Sequence, residues 1–251
     1  MKIVVIGGTG LIGSQVVNLL KNSEHEVIAA APNTGVNTLT GEGLDAVLQN
    51  AQVVVDVSNS PSFEDNAVMN FFKTSNGNLL KAEKKAGVTH HLALSVVGTQ
   101  KLQESGYFRA KQVQEDMIQA SGIPYTIVHA TQFFEFAAGI VHMSLINDQV
   151  VLPDANIQPI ASKDVAGFLA KVAVEAPKNT ILEIGGPKKY LMADWIKSYT
   201  TVTQKKYRIV SDAKALYSGA SIETDTLAPD NAVYLGGTDY ANWIAQPENQ
   251  R

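Results

Sequence analysis

The chain has 251 residues, 45% of them hydrophobic and 18% charged, with a net charge of −4 and no cysteine. That is the composition of an ordinary globular protein long enough to bury a large core. It excludes disulfides, thiolate metal sites and cysteine nucleophiles, and its acidic balance speaks against nucleic acid as a partner. No apolar run approaches the ~18 residues of a membrane span. The short apolar start is not a signal peptide, so a cytoplasmic protein acting on a small molecule, away from membranes, is expected.

The chain opens with Lys2-Ile3-Val4-Val5-Ile6, a β-branched run, and passes straight into Gly7-Gly8-Thr9-Gly10-Leu11-Ile12-Gly13. Ile12, Val16, Leu19 and Leu20 then repeat at helical spacing. Strand, glycine turn and helix in this order predict a dinucleotide-binding βαβ start, with Gly7, Thr9, Gly10, Leu11 and Ile12 at the cofactor. Gly7 serves the tight turn, and Gly10 lets backbone amides approach a pyrophosphate. Gly13 lets the helix pack close to the strand. The helix start supplies unpaired N–H groups and a positive dipole end.

A second strand is expected from Glu26 to Pro32, then a polar loop from Asn33. A short helix over residues 43–49 leads to an apolar strand at 53–57, which Ser58-Asn59-Ser60-Pro61-Ser62 interrupts. The next helix spans about 63–86, with a break expected near Gly77 and a cap at Gly87. His91-Leu92-Ala93-Leu94-Ser95 reads as a strand, residues 108–119 as a helix, and 124–129 as a fifth strand. Strands alternating with helices predict an α/β, Rossmann-type, doubly wound parallel sheet with right-handed crossovers. Beyond residue 148 a strand at 150–152, a helix at 162–175 capped by Ser162, a strand at 181–184 and a helix at 192–202 follow. We read residues 1–251 as a single domain, a dinucleotide-binding core at 1–148 and a small, mainly substrate-side C-terminal lobe at 149–251.

Tyr107 and Lys111 stand four apart, on one face of a helix, after the strand that ends at Ser95. The glycine turn, Ser95 twelve residues before Tyr107, and Lys111 resemble the short-chain dehydrogenase/reductase superfamily, and most closely its atypical, NmrA-like, NAD(P)H-binding branch. Ser121-Gly122-Ile123-Pro124-Tyr125-Thr126, Thr131-Gln132-Phe133-Phe134 and Lys163-Asp164-Val165-Ala166 extend the resemblance along the chain. It implies Tyr107 as proton donor to a substrate carbonyl and Ser95 as the group polarising that carbonyl. Lys111 would bind the nicotinamide ribose and lower the Tyr107 pKa. It also places Asn59 against the adenine or ribose side of the cofactor. Thr131 and Phe133 follow the fifth strand, at the carboxyl edge where ligands bind.

No metal-ligand spacing and no G-x-S-x-G elbow is present. His90 and His91 are adjacent and would face opposite sides of a strand, while Glu64-Asp65 and Glu115-Asp116 read as surface charge. An NAD site would place Asp or Glu at the end of the second strand; here the chain reads Ala29-Ala30-Ala31-Pro32-Asn33-Thr34. The Asn33 amide, the Thr34 hydroxyl and loop amides including that of Gly35 could donate to a 2′-phosphate, without an Arg or Lys clamp. NADP(H) is therefore expected by a small factor, with NAD(H) also accepted. The expected activity is NAD(P)H-dependent reduction of a small carbonyl compound or quinone. The alternatives are an NAD(P)-binding redox-sensing regulator with little catalysis, and a nucleotide-sugar epimerase-like enzyme. Substrate identity and oligomeric state are not encoded in any motif we can read.

Overall fold

A computed structural model describes every residue except Ser23 and Arg251. In chain order the elements are β1 (Lys2–Ile6), α1 (Leu11–Lys21), β2 (Glu26–Ala30), α2 (Leu44–Leu48), β3 (Val53–Asp56), α3 (Asp65–Ala86), β4 (His90–Val96), α4 (Gly106–Ala120) and β5 (Tyr125–Ala130). There follow α5 (Ala137–Met143), β6 (Leu145–Ile146), β7 (Gln149–Leu152), β8 (Asn156–Ile157), α6 (Ser162–Ala173) and β9 (Ile181–Gly185). The chain ends with β10 (Tyr190–Leu191), α7 (Met192–Val202), β11 (Arg208–Ser211), β12 (Ala232–Leu235) and α8 (Tyr240–Ile244).

Seven strands form one parallel sheet in the order β2-β1-β3-β4-β5-β9-β12. The expected doubly wound arrangement is therefore present. β1 pairs with β2 on one side and β3 on the other, Val4 opposite both Ile28 and Val54. The direction of winding reverses there, which makes the carboxyl ends of β1 and β3 the crevice where such sheets bind ligands. β1 and β3 are almost wholly buried, as strands covered on both faces must be.

The chain packs as two compact units. The first holds Met1–Ser95, Gly106–His129 and Val165–Leu182. One of its cores joins Val4, Ile6 and Val54 to Leu44 and Leu48 of α2 and Leu79 of α3. Another joins Leu80 and Ala93 to Ile118 of α4 and Ile127 of β5. Each fully buried Leu or Ile contributes about 1.5–3 kcal/mol, which explains why α3 is continuous through Gly77, against the expected break. A mid-helix glycine costs only about 1 kcal/mol, and Val68, Phe72, Leu79 and Leu80 bury the same helix on both sides of it. Gly87 closes α3 at φ 74°, its N–H donating to the carbonyls of Glu83 and Lys84.

The second unit holds Val96–Ser105, Ala130–Asp164 and the chain from Glu183 onward. β11, β7 and β6 form a three-stranded sheet, and β8 and β10 an antiparallel pair. Its centre is aromatic: Phe134 packs edge-on to Tyr240 at 4.9 Å, and Trp195 and Trp243 flank the same ring of Tyr240. Asp164 of the Lys163-Asp164-Val165-Ala166 motif accepts the Thr238 N–H, and a side chain at Gly236 would collide with that carboxylate. That motif thus fastens the loop after β12. Ser162 opens α6, and its hydroxyl donates to Glu135.

Candidate functional site

The glycine turn occupies the crevice end of β1. Gly7 adopts φ +76°, a left-handed conformation that favours glycine. Its neighbour across the crevice is the backbone of Ser58, 3.0 Å from where a Gly7 Cβ would stand. A Cβ on Gly8 would press within 2.7 Å of the Ala29 Cα and the Val5 carbonyl, so Gly8 sets the spacing of the turn against β2. In sequence, Gly8 is the first glycine of the G-x-G-x-x-G reading of this turn. The Gly13 Cβ would land on the Gly7 carbonyl oxygen, so the close approach that Gly13 permits is that of α1 to the turn directly after β1.

Gly10 is the N-cap of α1, carries no side-chain cap and has an ordinary φ of −81°. The first turn of α1 holds no acidic residue. The N–H groups of Leu11, Ile12 and Gly13, in the uncapped first turn, have no side-chain cap among the described residues, and a Cβ at Gly10 would fill space against only the Gly7 oxygen. These features fit the pyrophosphate of a dinucleotide. Thr9 donates to Asn33 Oδ1 at 3.1 Å, which ties the turn to the end of β2. The Thr34 hydroxyl is spent inside its own turn, on the carbonyls of Ala29 and Ala31 and the Ala31 N–H. The Gly35 N–H donates to Pro32 in the same turn. Of the expected phosphate donors, the Asn33 side-chain amide is the one this loop leaves to offer.

Across the crevice, β3 ends at Asp56, which accepts from the Ser58 N–H at 3.0 Å and the Ser58 hydroxyl at 2.6 Å. Asn59 then hydrogen-bonds the Tyr107 hydroxyl at the start of α4. Burial pushes that phenol up to about 12, with Asn59 opposing the shift. The structure joins Tyr107 to Asn59, and does not join it to Ser95 or Lys111 by any hydrogen bond among the described residues.

Lys111 lies instead on a buried polar face of α4, and Ser95 of β4 bonds to that face. Lys111 is 2% exposed; it donates to the Leu94 carbonyl at 3.0 Å and to Gln114 Oε1, and lies 4.7 Å over the Phe72 ring. Gln114 in turn donates to Asp56 at 3.1 Å. Glu115, read from sequence as surface charge, is 1% exposed, because it follows Gln114 on the sheet-facing side of α4. It accepts from the Ser95 hydroxyl and bonds His129 Nε2 at 2.9 Å, while its second oxygen has no partner among the described residues. Lys111 thus ties α4 to β4, Gln114 ties it to β3, and Glu115 to both β4 and β5. A helix-face count on α4 could have found this, since Lys111, Gln114 and Glu115 share the stripe of Ala110 and Ile118.

Burial pulls the Lys111 ammonium down to about 8, with the carboxylates of Asp56 and Glu115 acting in the other direction. The unfolded chain would hold this proton up to about 10.5, so between pH 8 and 10.5 it binds more protons than the folded one. Wild type should therefore gain stability relative to Lys111→Met across that window, by on the order of 3 kcal/mol. Denaturant midpoints of the two proteins at each pH check this, and parallel curves would contradict it.

In the second unit, Thr131 is buried and its hydroxyl donates to the Gln158 carbonyl at 2.6 Å. Phe133 meets Phe136, which is exposed, at 5.0 Å with the rings tilted by 32°, whereas Phe134 is core. His90 and His91 do face opposite ways, His90 to Thr126 and His91 to Glu83.

Residues 7–176 match the protein-family model described as NAD(P)H-binding. The chain belongs to that NAD(P)H-binding family. Its motif-level resemblance to the atypical, NmrA-like branch agrees with the membership. A photosystem II assembly factor of Synechocystis is 24% identical over 192 residues, which cover 70% of this chain. The chain spans 59% of the length of that relative. An isoflavone reductase-like protein of Olea europaea is 27% identical, with 82% of this chain and 77% of its own length covered. The crystal structure of a NADPH-dependent quinone oxidoreductase of Escherichia coli shares the fold, with a TM-score of 0.70 at 17% identity over 97% of this chain and 98% of that one. No helix among the described residues is long and apolar enough to cross a membrane.

Proposed function

We propose that the chain is an NAD(P)H-dependent oxidoreductase that reduces a small carbonyl compound or, preferentially, a quinone. The observation that carries this reading is the glycine turn feeding an uncapped α1 in a chain whose 7–176 segment is NAD(P)H-binding. Gly7, Thr9, Gly10, Leu11 and Ile12 would hold the pyrophosphate, Asn33 the ribose end and Asn59 the facing edge. Bound nicotinamide would supply the hydride.

The choice between carbonyl and quinone rests on Tyr107. An alcohol product needs a proton delivered to its oxygen, whereas a hydroquinone stabilises its own oxyanion. A phenol pushed up to about 12, with the Lys111 ammonium turned to Leu94 and Gln114, is a weak proton donor at neutral pH. Tyr107, with Ser95 and Lys111 as supports, would then assist carbonyl reduction poorly and quinone reduction sufficiently. Steady-state NADPH consumption with a panel of quinones and aliphatic aldehydes tests this. Quinones should turn over at least about tenfold faster, in line with the 10²–10⁴-fold that a competent general acid contributes where it is needed. Binding of NADPH with no consumption by any panel member would support the redox-sensing alternative, for which Ser95 and Lys111 engaged elsewhere also speak.

For the cofactor, NADP(H) should bind more tightly than NAD(H) by a small factor, because no carboxylate ends β2 and the Asn33 amide can donate. Asn33→Asp should reverse the order by placing a carboxylate opposite the 2′-phosphate. Paired titrations at matched ionic strength check it; an unaffected Asn33→Asp protein would remove this loop from the site.

A further inference from the structure

The most exposed large apolar side chain among the described residues is Phe63, at 65%, in the loop between β3 and α3. A single exposed aromatic on a slack loop would mean nothing. This loop is fastened along its whole length. Asp56 holds Ser58; Asn59 Oδ1 accepts from the Ser60 N–H at 3.0 Å. The Ser60 hydroxyl accepts from the Ser62 N–H, and the Ser62 hydroxyl from the Glu64 N–H, both at 3.2 Å. Pro61 stiffens the middle.

The loop is also fastened to α4. Asp65 pairs with Arg109 at 2.6 Å, and its carboxylate occupies the space that a side chain at Gly106 would need. Asn59 bonds the Tyr107 hydroxyl, and the Phe63 ring lies over the Tyr107 ring at 5.6 Å, tilted by 51°. Phe72 and Phe108 pack edge-on against other sides of Tyr107, at 6.4 and 5.5 Å. One part of Phe63 thus covers Tyr107, and the rest is held in water at the crevice end of β3.

From this we infer that Phe63 is a stacking platform for a planar aromatic substrate, with the Tyr107 hydroxyl, held by Asn59, as the polar group that meets the substrate's oxygen. The inference rests on the quinone reading above and narrows it to aromatic rings. An ordered aromatic face has lost its side-chain freedom before any ligand arrives, so a flat π-surface that covers it gains the apolar burial without a further ordering cost. A small aliphatic carbonyl would leave that face uncovered. Phe63 then determines specificity without touching the hydride donor.

The test is calorimetric titration of menadione onto the NADP⁺-loaded protein, in which no turnover occurs, with cyclohexanone as the non-aromatic control. Phe63→Ala should weaken menadione binding by about tenfold, and Phe63→Tyr should stay within about twofold of wild type. NADP⁺ affinity and cyclohexanone binding should not change in either variant. Phe63 is 65% exposed and its ring meets the Tyr107 ring, a contact that Phe63→Tyr keeps and Phe63→Ala loses at the surface, so thermal melts of both variants establish an intact fold before titration. Equal menadione affinity in Phe63→Ala and wild type, or no menadione binding to wild type, would overturn the platform. Failure of NADP⁺ to bind wild type would strike the cofactor reading instead, and menadione titrated onto the free chain would then decide on Phe63 alone.

Discussion

Gly10→Val should lose NAD(P)H affinity by about a hundredfold or more, equivalent to roughly 3 kcal/mol, while the unliganded protein stays folded. Gly10 has φ −81° and would bring a Cβ near one atom only, the Gly7 carbonyl oxygen at 3.3 Å. The loss of a glycine N-cap adds about 1 kcal/mol. The new side chain would stand in front of the α1 amides that are open to a phosphate. Gly13→Ala should behave in the opposite way. Its Cβ would meet the Gly7 carbonyl, which is backbone and cannot swing aside, so the cost falls on folding, about 3 kcal/mol or more. Thermal melts without cofactor, set beside NADPH titrations, separate the two. Unchanged NADPH affinity in a folded Gly10→Val protein would remove the phosphate cradle from this turn.

The second large effect concerns a pair outside the site. Glu83 of α3 and His91 of β4 are both fully buried, with His91 Nδ1 2.9 Å from each carboxylate oxygen. Burial alone would pull the His91 imidazole down; the Glu83 carboxylate more than reverses this and holds it above its ordinary value. Removing one partner leaves the other buried and unsatisfied. Glu83→Leu should therefore cost about 3–5 kcal/mol, whereas Glu83→Leu with His91→Leu should recover most of that loss. Urea midpoints at constant slope measure it. A single variant within about 1 kcal/mol of wild type would show that water or rearrangement satisfies His91. Because Glu83 lies away from the crevice, NADPH affinity at saturating stability should not move.

The sheet and its helices were legible because their signals are local. β1 and α7 begin and end where hydrophobic period and breakers place them, and Gly87 and Gly122 take the positive φ that a stop requires. The glycine turn was legible too, although its division of labour was not. Which glycine meets a strand and which meets a carbonyl depends on the distance between β1 and β2, and spacing does not carry that distance. Ser95, Tyr107 and Lys111 were visible as residue types expected for catalysis, but their partners were not. Glu115 and Gln114 sit beside charged neighbours and look like surface. They become interior only because this side of α4 faces β3, β4 and β5, and a buried carboxylate then draws Ser95 and His129 to it. Phe63 was hidden because it was expected as the first residue of the helix over 63–86, whereas α3 begins at Asp65 and leaves Phe63 in the loop.

The most direct test of the central claim, that the turn at 7–13 is the dinucleotide site, is backbone amide hydrogen exchange of the free protein and of the protein saturated with NADPH. Protection should concentrate at residues 7–13, with smaller gains at Asn33 and in the 57–64 loop. NADPH binding that leaves the exchange of residues 7–13 unchanged would contradict it.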